Sequence, residues 1–513
     1  MVQSAEVQPK SEARPKGEQA VGVQPTGETV VATETVLSAE QQKQQPLYAG
    51  RVEVYPKKVS GDVRRIKWAA LGVLLGLYYL APWLRWDRGP NAPDQALLID
   101  MPARRAYFFW IEIWPQEVYY LAGILILGAL GLFLATSIGG RVWCGFTCPQ
   151  TVWTDLFMWV ERVIEGDRNA RIRLDKAPMS GDKLAKKSLK HVVWLIISVA
   201  TGGAWIMYFN DAPTVVYEFF TGQSSLTVYF FVGLFSATTY LLAGMAREQV
   251  CTYMCPWPRF QAALLDEDSL VVTYRDWRGE PRGKHKKGET WEGRGDCIDC
   301  LQCVAVCPTG IDIRDGLQLE CIGCGLCVDA CDGVMEKVGR PRGLIAFDTE
   351  RNHIACSTGG KPVRPKLIRP RTIVYVALIG VVGLLMLGSL AFRGALDINI
   401  LHDRNPLFVT LSDGSIRNGY TIKILNKERE TRSFTLALEG TGGATLTVVG
   451  QEETDGTPPV LTAKPDAVAS YRVFVQRPKS EVTVASEPLG FVLTDTEGGE
   501  TARHDSVFRG PTR

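Results

Sequence analysis

Cys297-Ile-Asp-Cys300-Leu-Gln-Cys303-Val-Ala-Val-Cys307-Pro308 is repeated downstream as Cys321-Ile-Gly-Cys324-Gly-Leu-Cys327-Val-Asp-Ala-Cys331. Two runs at one spacing are the mark of a double cubane loop. Three thiolates on a tight turn ligate three irons of one cluster, and the fourth, on the short helix after it, reaches the other. The spacing assigns Cys297, Cys300, Cys303 and Cys331 to one [4Fe–4S] cluster, and Cys321, Cys324, Cys327 and Cys307 to a second. A zinc ribbon would use two pairs of ligands instead. The second run ends Cys331-Asp332 rather than Cys-Pro, which changes a turn and not a ligand.

Outward from this segment the chain is alternately apolar and polar. Windows 68–84, 118–138, 192–210, 227–246 and 372–392 carry no charged residue, and each is long enough to cross a bilayer core. The first is the shortest and contains Pro82. Twelve of the thirteen cysteines fall in tight groups, which points to metal ligation rather than a disulfide framework. A net charge of +2 over 513 residues gives no ground for a nucleic-acid partner.

The fold class expected is a multi-domain membrane protein. Residues 1–50, polar and without a charged stretch leading into an apolar run, read as a disordered tail and not a signal peptide. Residues 51–265 form a four-helix transmembrane core, 266–371 an inserted bacterial 2[4Fe–4S] ferredoxin-like domain, and 372–393 a fifth transmembrane helix. Residues 394–513 hold short alternating stretches separated by Gly, Pro, Asn and Asp turns, and read as an all-β, immunoglobulin-like sandwich.

Lys and Arg orient the spans. Residues 141–190 carry ten of them, 85–116 carry four and 211–226 none. Positive loops stay inside, so the ferredoxin-like domain is expected in the cytoplasm and the β-domain in the periplasm of a bacterial inner membrane.

A second cysteine pattern lies at the membrane boundary. Arg141-Val-Trp-Cys144-Gly-Phe-Thr-Cys148-Pro149 comes after the second span, and Arg247-Glu-Gln-Val-Cys251-Thr-Tyr-Met-Cys255-Pro256 after the fourth. Both are C-x3-C-P at the same end of a helix pair, as in a parallel internal repeat. The four thiols are placed to converge. Thiolates are soft ligands that favour Cu(I), although zinc, a dithiol couple and plain packing also fit residues of this type.

Residues 141–154, 248–261, 402–407 and 411–418 together resemble the cytochrome c oxidase accessory proteins CcoG, also called FixG or RdxA. The likeness extends over roughly residues 50–510. It implies a cupric reductase that provides Cu(I) for assembly of cbb3-type oxidase, with Cys144, Cys148, Cys251 and Cys255 as the copper-handling residues and oxidase assembly factors as partners. Two other readings stay open: a subunit exchanging electrons between quinone and a soluble partner, and a redox-sensing assembly scaffold. The electron donor is unknown, and no G-x-G-x-x-G fingerprint points to a nicotinamide. A homodimer is also left open.

Of the remaining features, residues 100–117 read as an aromatic interfacial segment or, more sharply, a quinone pocket. Trp143, Trp153, Trp159 and Trp257 read as interfacial anchors. His191 reads as an interface residue opening the third span, and Cys356 as an isolated thiol. The basic stretch 275–294 reads as solvated, headgroup-facing or a docking patch for an acidic donor.

Overall fold

The computed structural model describes residues 53–511 except 90–91, 287, 395, 429, 441–442, 451–457 and 466. The tail read as disordered, residues 1–50, lies outside them. The chain divides into two compact units after Tyr55, and the helices and sheets of the fold belong to the second, Pro56–Arg513.

Five helices are long and apolar enough to cross a membrane: Asp62–Trp83, Pro115–Gly139, Gly181–Met207, Leu226–Ala246 and Pro370–Ala391. Their regular cores are α1 (Asp62–Leu80), α2 (Tyr119–Gly139), α4 (Gly181–Met207), α5 (Leu226–Thr239) and α9 (Pro370–Ala391), with α3 (Pro149–Ile164) between the second and third. Many of their apolar side chains point outward. None of the most apolar window of the last helix is buried, and Leu384 and Leu385 are exposed, as lipid-facing residues should be.

Two spans start earlier than hydropathy alone suggests. The first begins at Asp62, so Arg64 and Lys67 lie inside it, and the third begins at Gly181. A hydropathy window breaks at the first charge, whereas a helix continues as long as its hydrogen bonds do. His191 therefore sits ten residues inside α4 rather than at its start, and its Nδ1 lies 2.8 Å from the Tyr240 hydroxyl. The region 97–113 is not a plain interfacial segment but an antiparallel sheet, β1 (Leu97–Asp100), β2 (Arg105–Phe108) and β3 (Ile111–Ile113). The Arg105 guanidinium stacks 3.8 Å from the Trp114 ring centroid there.

Helices α2 and α9 run antiparallel. Arg369, just before α9, bonds the Ser137 carbonyl near the end of α2, and Tyr120, near its start, bonds Ser389 at 2.9 Å. The cysteine turns and the β-sandwich consequently occupy opposite ends of α2. At the sandwich end buried Glu117 accepts Lys427 at 2.9 Å and Arg393 at 3.2 Å, tying membrane helix to β-domain.

The β-domain has two antiparallel sheets. One has the order Thr445–Val448, Ala467–Arg477, Ile416–Asn426, Leu396–His402, and the other Val460–Ala463, Arg432–Glu439, Ser486–Asp495, Thr501–Arg509. Alternation along 416–426 turns Tyr420, Ile422 and Ile424 into a core shared with Phe434, Leu436, Val473, Phe491 and Phe508. The alternating stretches of the sequence, 421–425, 433–438, 444–449, 470–475 and 491–495, locate five of these strands. They miss Leu396–His402 and Val460–Ala463, which are short, and Thr501–Arg509, in which only Ala502, Val507 and Phe508 are apolar.

The ferredoxin-like segment is closed at its ends by the ribbon β4 (Val271–Tyr274) and β5 (Ile345–Asp348), whose inward side chains pack on the cysteine loops.

Candidate functional site: two thiol sets and a boundary turn

The two cysteine runs share one backbone path. In each, the residue before the second cysteine and the residue after it take positive φ: Asp299 (53°) and Leu301 (56°) in the first, Gly323 (68°) and Gly325 (67°) in the second. This double left-handed twist curls the loop around its thiols and leads into a short helix, α7 (Gln302–Val306) or α8 (Leu326–Lys337). Backbone N–H groups of Val304, Gly323 and Leu326 donate toward the sulfurs of Cys303, Cys321 and Cys324.

Two small cavities result. Cys297, Cys300, Cys303 and Cys331 line one, the outer set, so called because Cys300 and Leu301 are exposed. Cys307, Cys321, Cys324 and Cys327 line the other, the inner set, with Cys303 on the shared wall. Each fourth thiol thus comes from the opposite run. Burial pushes Cys303, Cys321 and Cys331 up to about 12, so these thiols stay protonated until a metal displaces the proton. Eight thiols in two fours, with amides aimed at sulfur, fit two cubanes. Among the described residues no group of three or more Cys, His, Asp and Glu side chains is spaced to hold a single metal ion, and a cubane spreads its thiolates wider than one ion does.

The boundary motifs repeat each other just as closely. Gly140 (φ 59°) and Arg247 (φ 43°) hold the same position, four residues before Cys144 and Cys251, and break the preceding helix. A π-helical turn then carries the first cysteine, Trp143–Thr147 or Val250–Met254. The second cysteine closes that turn with an N–H bond of 2.8 Å to Trp143 or Val250. Proline then starts the next helix, α3 or α6 (Trp257–Leu264), where its missing N–H costs nothing. The Cys144 thiol donates to Gln261 Oε1 at 3.0 Å, and Gln261 Nε2 donates to Thr136 at 3.3 Å. Burial, then Cys148 and Cys251, pushes Cys144 up to about 12. Burial, then Cys148 and Cys255, does the same to Cys251. The four boundary thiols therefore share one neighbourhood.

That neighbourhood touches the inner set. Cys144 and Cys324 belong to one buried apolar cluster with Val306, Ile322 and Leu326, and Cys251 and Cys327 pack on it. A Cβ on Gly145 would lie 2.7 Å from the Gly323 carbonyl oxygen, so the two loops meet backbone to backbone. Arg141 clamps the contact by donating to the carbonyls of Leu319, Cys321 (2.6 Å) and Pro258 (3.2 Å). Asp329 on α8 caps α1 by accepting the N–H groups of Val63 (3.1 Å) and Arg64 (2.7 Å).

Sequence reading overlooked several residues in this region. Gln261 closes the stretch 248–261, which assigns it no role. Arg64, Lys67 and Asp155 form a buried ion cluster, with Arg64 on both Asp155 oxygens at 3.0 and 2.7 Å. Burial opposes ionisation of Asp155, but Lys67 and Arg64 outweigh it and hold the carboxyl below its ordinary range. Nearby, Glu161 pairs with Arg171 at 2.7 Å and with Arg247. The signal available was three cations, Arg64, Arg65 and Lys67, abutting an apolar window. Other expectations fare differently. Trp153 packs on Tyr78 and bonds Thr201 at 2.9 Å, so it is a packing residue as much as an anchor. In the basic stretch, Arg275 pairs with Asp348 (2.8 Å), Arg278 with Asp296 (2.5 Å) and Arg294 with Glu289 (3.4 Å), so these three hold the fold. Cys356 stands apart, 3.6 Å from Asn352 Oδ1.

Comparison with known proteins gives three family models. Residues 121–165 match a 4Fe–4S binding domain, 246–350 a 4Fe–4S dicluster domain, and 386–511 the immunoglobulin-like fold at the C-terminus of FixG. The chain is 49% identical over 493 residues to the nitrogen fixation protein FixG of Rhizobium meliloti, covering 91% of this chain and 94% of that one. It is 49% identical over 479 residues to the protein RdxA of Cereibacter sphaeroides, covering 91% and 99%. A crystal structure of a FixG-related protein from Vibrio parahaemolyticus aligns with 23% of this chain and 96% of its own, at 20% identity and a TM-score of 0.20.

Proposed function

Because the chain belongs to the FixG/RdxA family of membrane-bound iron–sulfur electron-transfer proteins, we propose that it reduces Cu(II) to Cu(I) at Cys144, Cys148, Cys251 and Cys255 and provides the reduced ion for assembly of a cbb3-type cytochrome c oxidase. One observation above all supports this reading: the apolar cluster that puts Cys144 and Cys251 against Cys324 of the inner set. When bound by the two thiol sets, [4Fe–4S] groups supply electrons singly, which is what Cu(II) takes up.

The chain's own residues do the rest. Soft thiolates bind Cu(I) better than Cu(II), so the boundary turn favours the product. Each thiol that takes the ion releases its proton to water. Two thiolates satisfy Cu(I), so a preformed cage of three or more ligands is not required. Gln261, hydrogen-bonded to Cys144, fixes the orientation of that thiol, and Val306, Ile322 and Leu326 pack between it and the inner set.

The cysteine-bearing end lies in the cytoplasm on this reading, and the β-sandwich on the far side of the inner membrane, as the Lys and Arg asymmetry requires. Reporter fusions after Arg173 and Gly283 should report cytoplasm, and one after Gly414 periplasm. A cytoplasmic signal at Gly414 overturns the assignment.

The functional test uses the full chain purified without oxygen. It should hold about eight irons, bind copper, and reduce Cu(II) as read with a Cu(I)-specific chelator. Cys251→Ser together with Cys255→Ser should abolish reduction and keep the iron. Full reduction by that variant overturns the proposal. A second reading is favoured by the match of residues 121–165 to an iron–sulfur model, although that stretch holds only Cys144 and Cys148. In this reading the four boundary thiols hold a further cluster. It predicts about twelve irons, falling to about eight in the same variant.

A further inference from the structure

Lys67 is a buried cation that shares its carboxylate with a second cation, Arg64. Its side chain is 4% exposed, and its Nζ stands 3.6 Å from Asp155 Oδ2, an ion pair without a hydrogen bond. Asp155 is already held on both oxygens by Arg64. Asp329, a second carboxylate at this end of α1, is engaged by the N–H groups of Val63 and Arg64, and Asp62 is exposed and paired with Arg65. An ammonium withdrawn from water needs an anion to offset the loss of hydration, and none of these carboxylates is given over to this one.

The nearby groups that become anionic when metal binds are thiols. Lys67 lies one helical turn beyond Val63, and a Cβ on Gly325, next to Cys324, would meet Val63 at 2.9 Å. Among charged groups Lys67 acts most strongly on Cys324, and it acts on Cys251 as well. The outer set has a cation of its own, since Arg314 is the charged group that acts most strongly on Cys303, but it carries no surplus charge. Its arginine, Arg314, is neutralised by Asp312 (2.5 Å) and Asp299 (2.6 Å), and the carboxylate of Asp332 lies near Cys331.

We propose that Lys67 is the counter-charge of the inner thiol set, and that it makes this set, the one touching the boundary turn, the stronger electron acceptor of the two. The inference rests on the reading that each set holds a [4Fe–4S] group. It gives the molecule a direction, from the solvent-exposed loop of Cys300 and Leu301 inward to Cys144 and Cys251. The charge favours the reduced, more negative state of whatever the inner thiolates hold.

The test is an EPR-monitored redox titration of the full chain, prepared without oxygen, as wild type, Lys67→Met, Lys67→Arg and Asp155→Asn. Wild type should show two one-electron waves. Removing one charge at this remove in a protein interior should change the equilibrium about tenfold, or about 59 mV for one electron. Lys67→Met should lower the higher wave by that amount and leave the lower one in place. Lys67→Arg should restore it, and Asp155→Asn, which removes a negative charge, should raise it. If Lys67→Met moves neither wave, moves both equally, or moves only the lower one, the proposal fails. Should Lys67→Met not fold, an unmoved higher wave in Asp155→Asn overturns it. A wild type with fewer than about eight irons instead brings down the two-cluster reading beneath it, which the iron assay shows before any titration.

Discussion

The outer and inner thiol sets are built on the same cysteine spacing and the same backbone twist, yet their loops differ at the two left-handed positions. The outer loop has Asp299 and Leu301 there, with Leu301 half exposed. The inner loop has Gly323 and Gly325. A Cβ on Gly323 would stand 3.0 Å from the Arg141 side chain, and one on Gly325 2.8 Å from Phe347. The outer loop tolerates side chains in a strained conformation because it faces water. The inner loop needs glycine because Arg141 and Val63 of the membrane body, and Phe347 of β5, pack against it. Duplication made the two alike, and docking made them different.

Copying the outer loop into the inner one should have the largest effect. Gly325→Leu adds both positive-φ strain and a clash with Phe347 and Val63. Iron in the inner set should be lost, so that iron per chain falls by about half. An iron assay checks this, and full iron retention would show that the inner loop is not held tightly. Next comes the clamp, which the outer loop lacks. Arg141→Gln leaves the carbonyls of Leu319, Cys321 and Pro258 short of a donor and should cost about 1–3 kcal/mol. Thermal melting with limited proteolysis of the ferredoxin-like segment reads this, with cleavage rising at the inner loop before the outer.

Asp329→Ala removes the acceptor that ties α1 to the helix after the inner cysteines. A lost helix cap costs about 0.5–2 kcal/mol. The expected outcome is a lower melting temperature with unchanged iron, and Asp329→Asn should recover most of the loss. The smallest effect belongs to the outer loop. Leu301→Gly relieves a left-handed leucine that is half exposed, so stability should rise by up to about 1 kcal/mol. Iron content should stay the same. A clear fall in melting temperature would mean that Leu301 is packed against something, and the contrast between the loops would weaken.

Much of this molecule is legible in order along the chain. The eight cysteines announce their grouping because a cubane loop is local: three ligands fall within seven residues, and spacing alone sets their reach. The five spans are legible because lipid imposes an apolar length, although charge-bearing first turns hide where α1 and α4 begin. The β-domain shows itself through alternation wherever one face is dry. The mostly polar strand Thr501–Arg509 stays hidden for the same reason.

The sequence by itself determined the thiols, their grouping and the membrane helices, since each rests on contacts between residues close in the chain. Only the tertiary structure decided which set faces the membrane, and that Cys144, Cys251 and Cys324 share one apolar cluster across more than a hundred residues between the first two. It also decided that Lys67 and Asp155, unremarkable in their own segments, meet beside that set. Spacing encodes short-range geometry. Which distant surfaces meet depends on shape and burial summed over the whole fold, and no local pattern carries that sum.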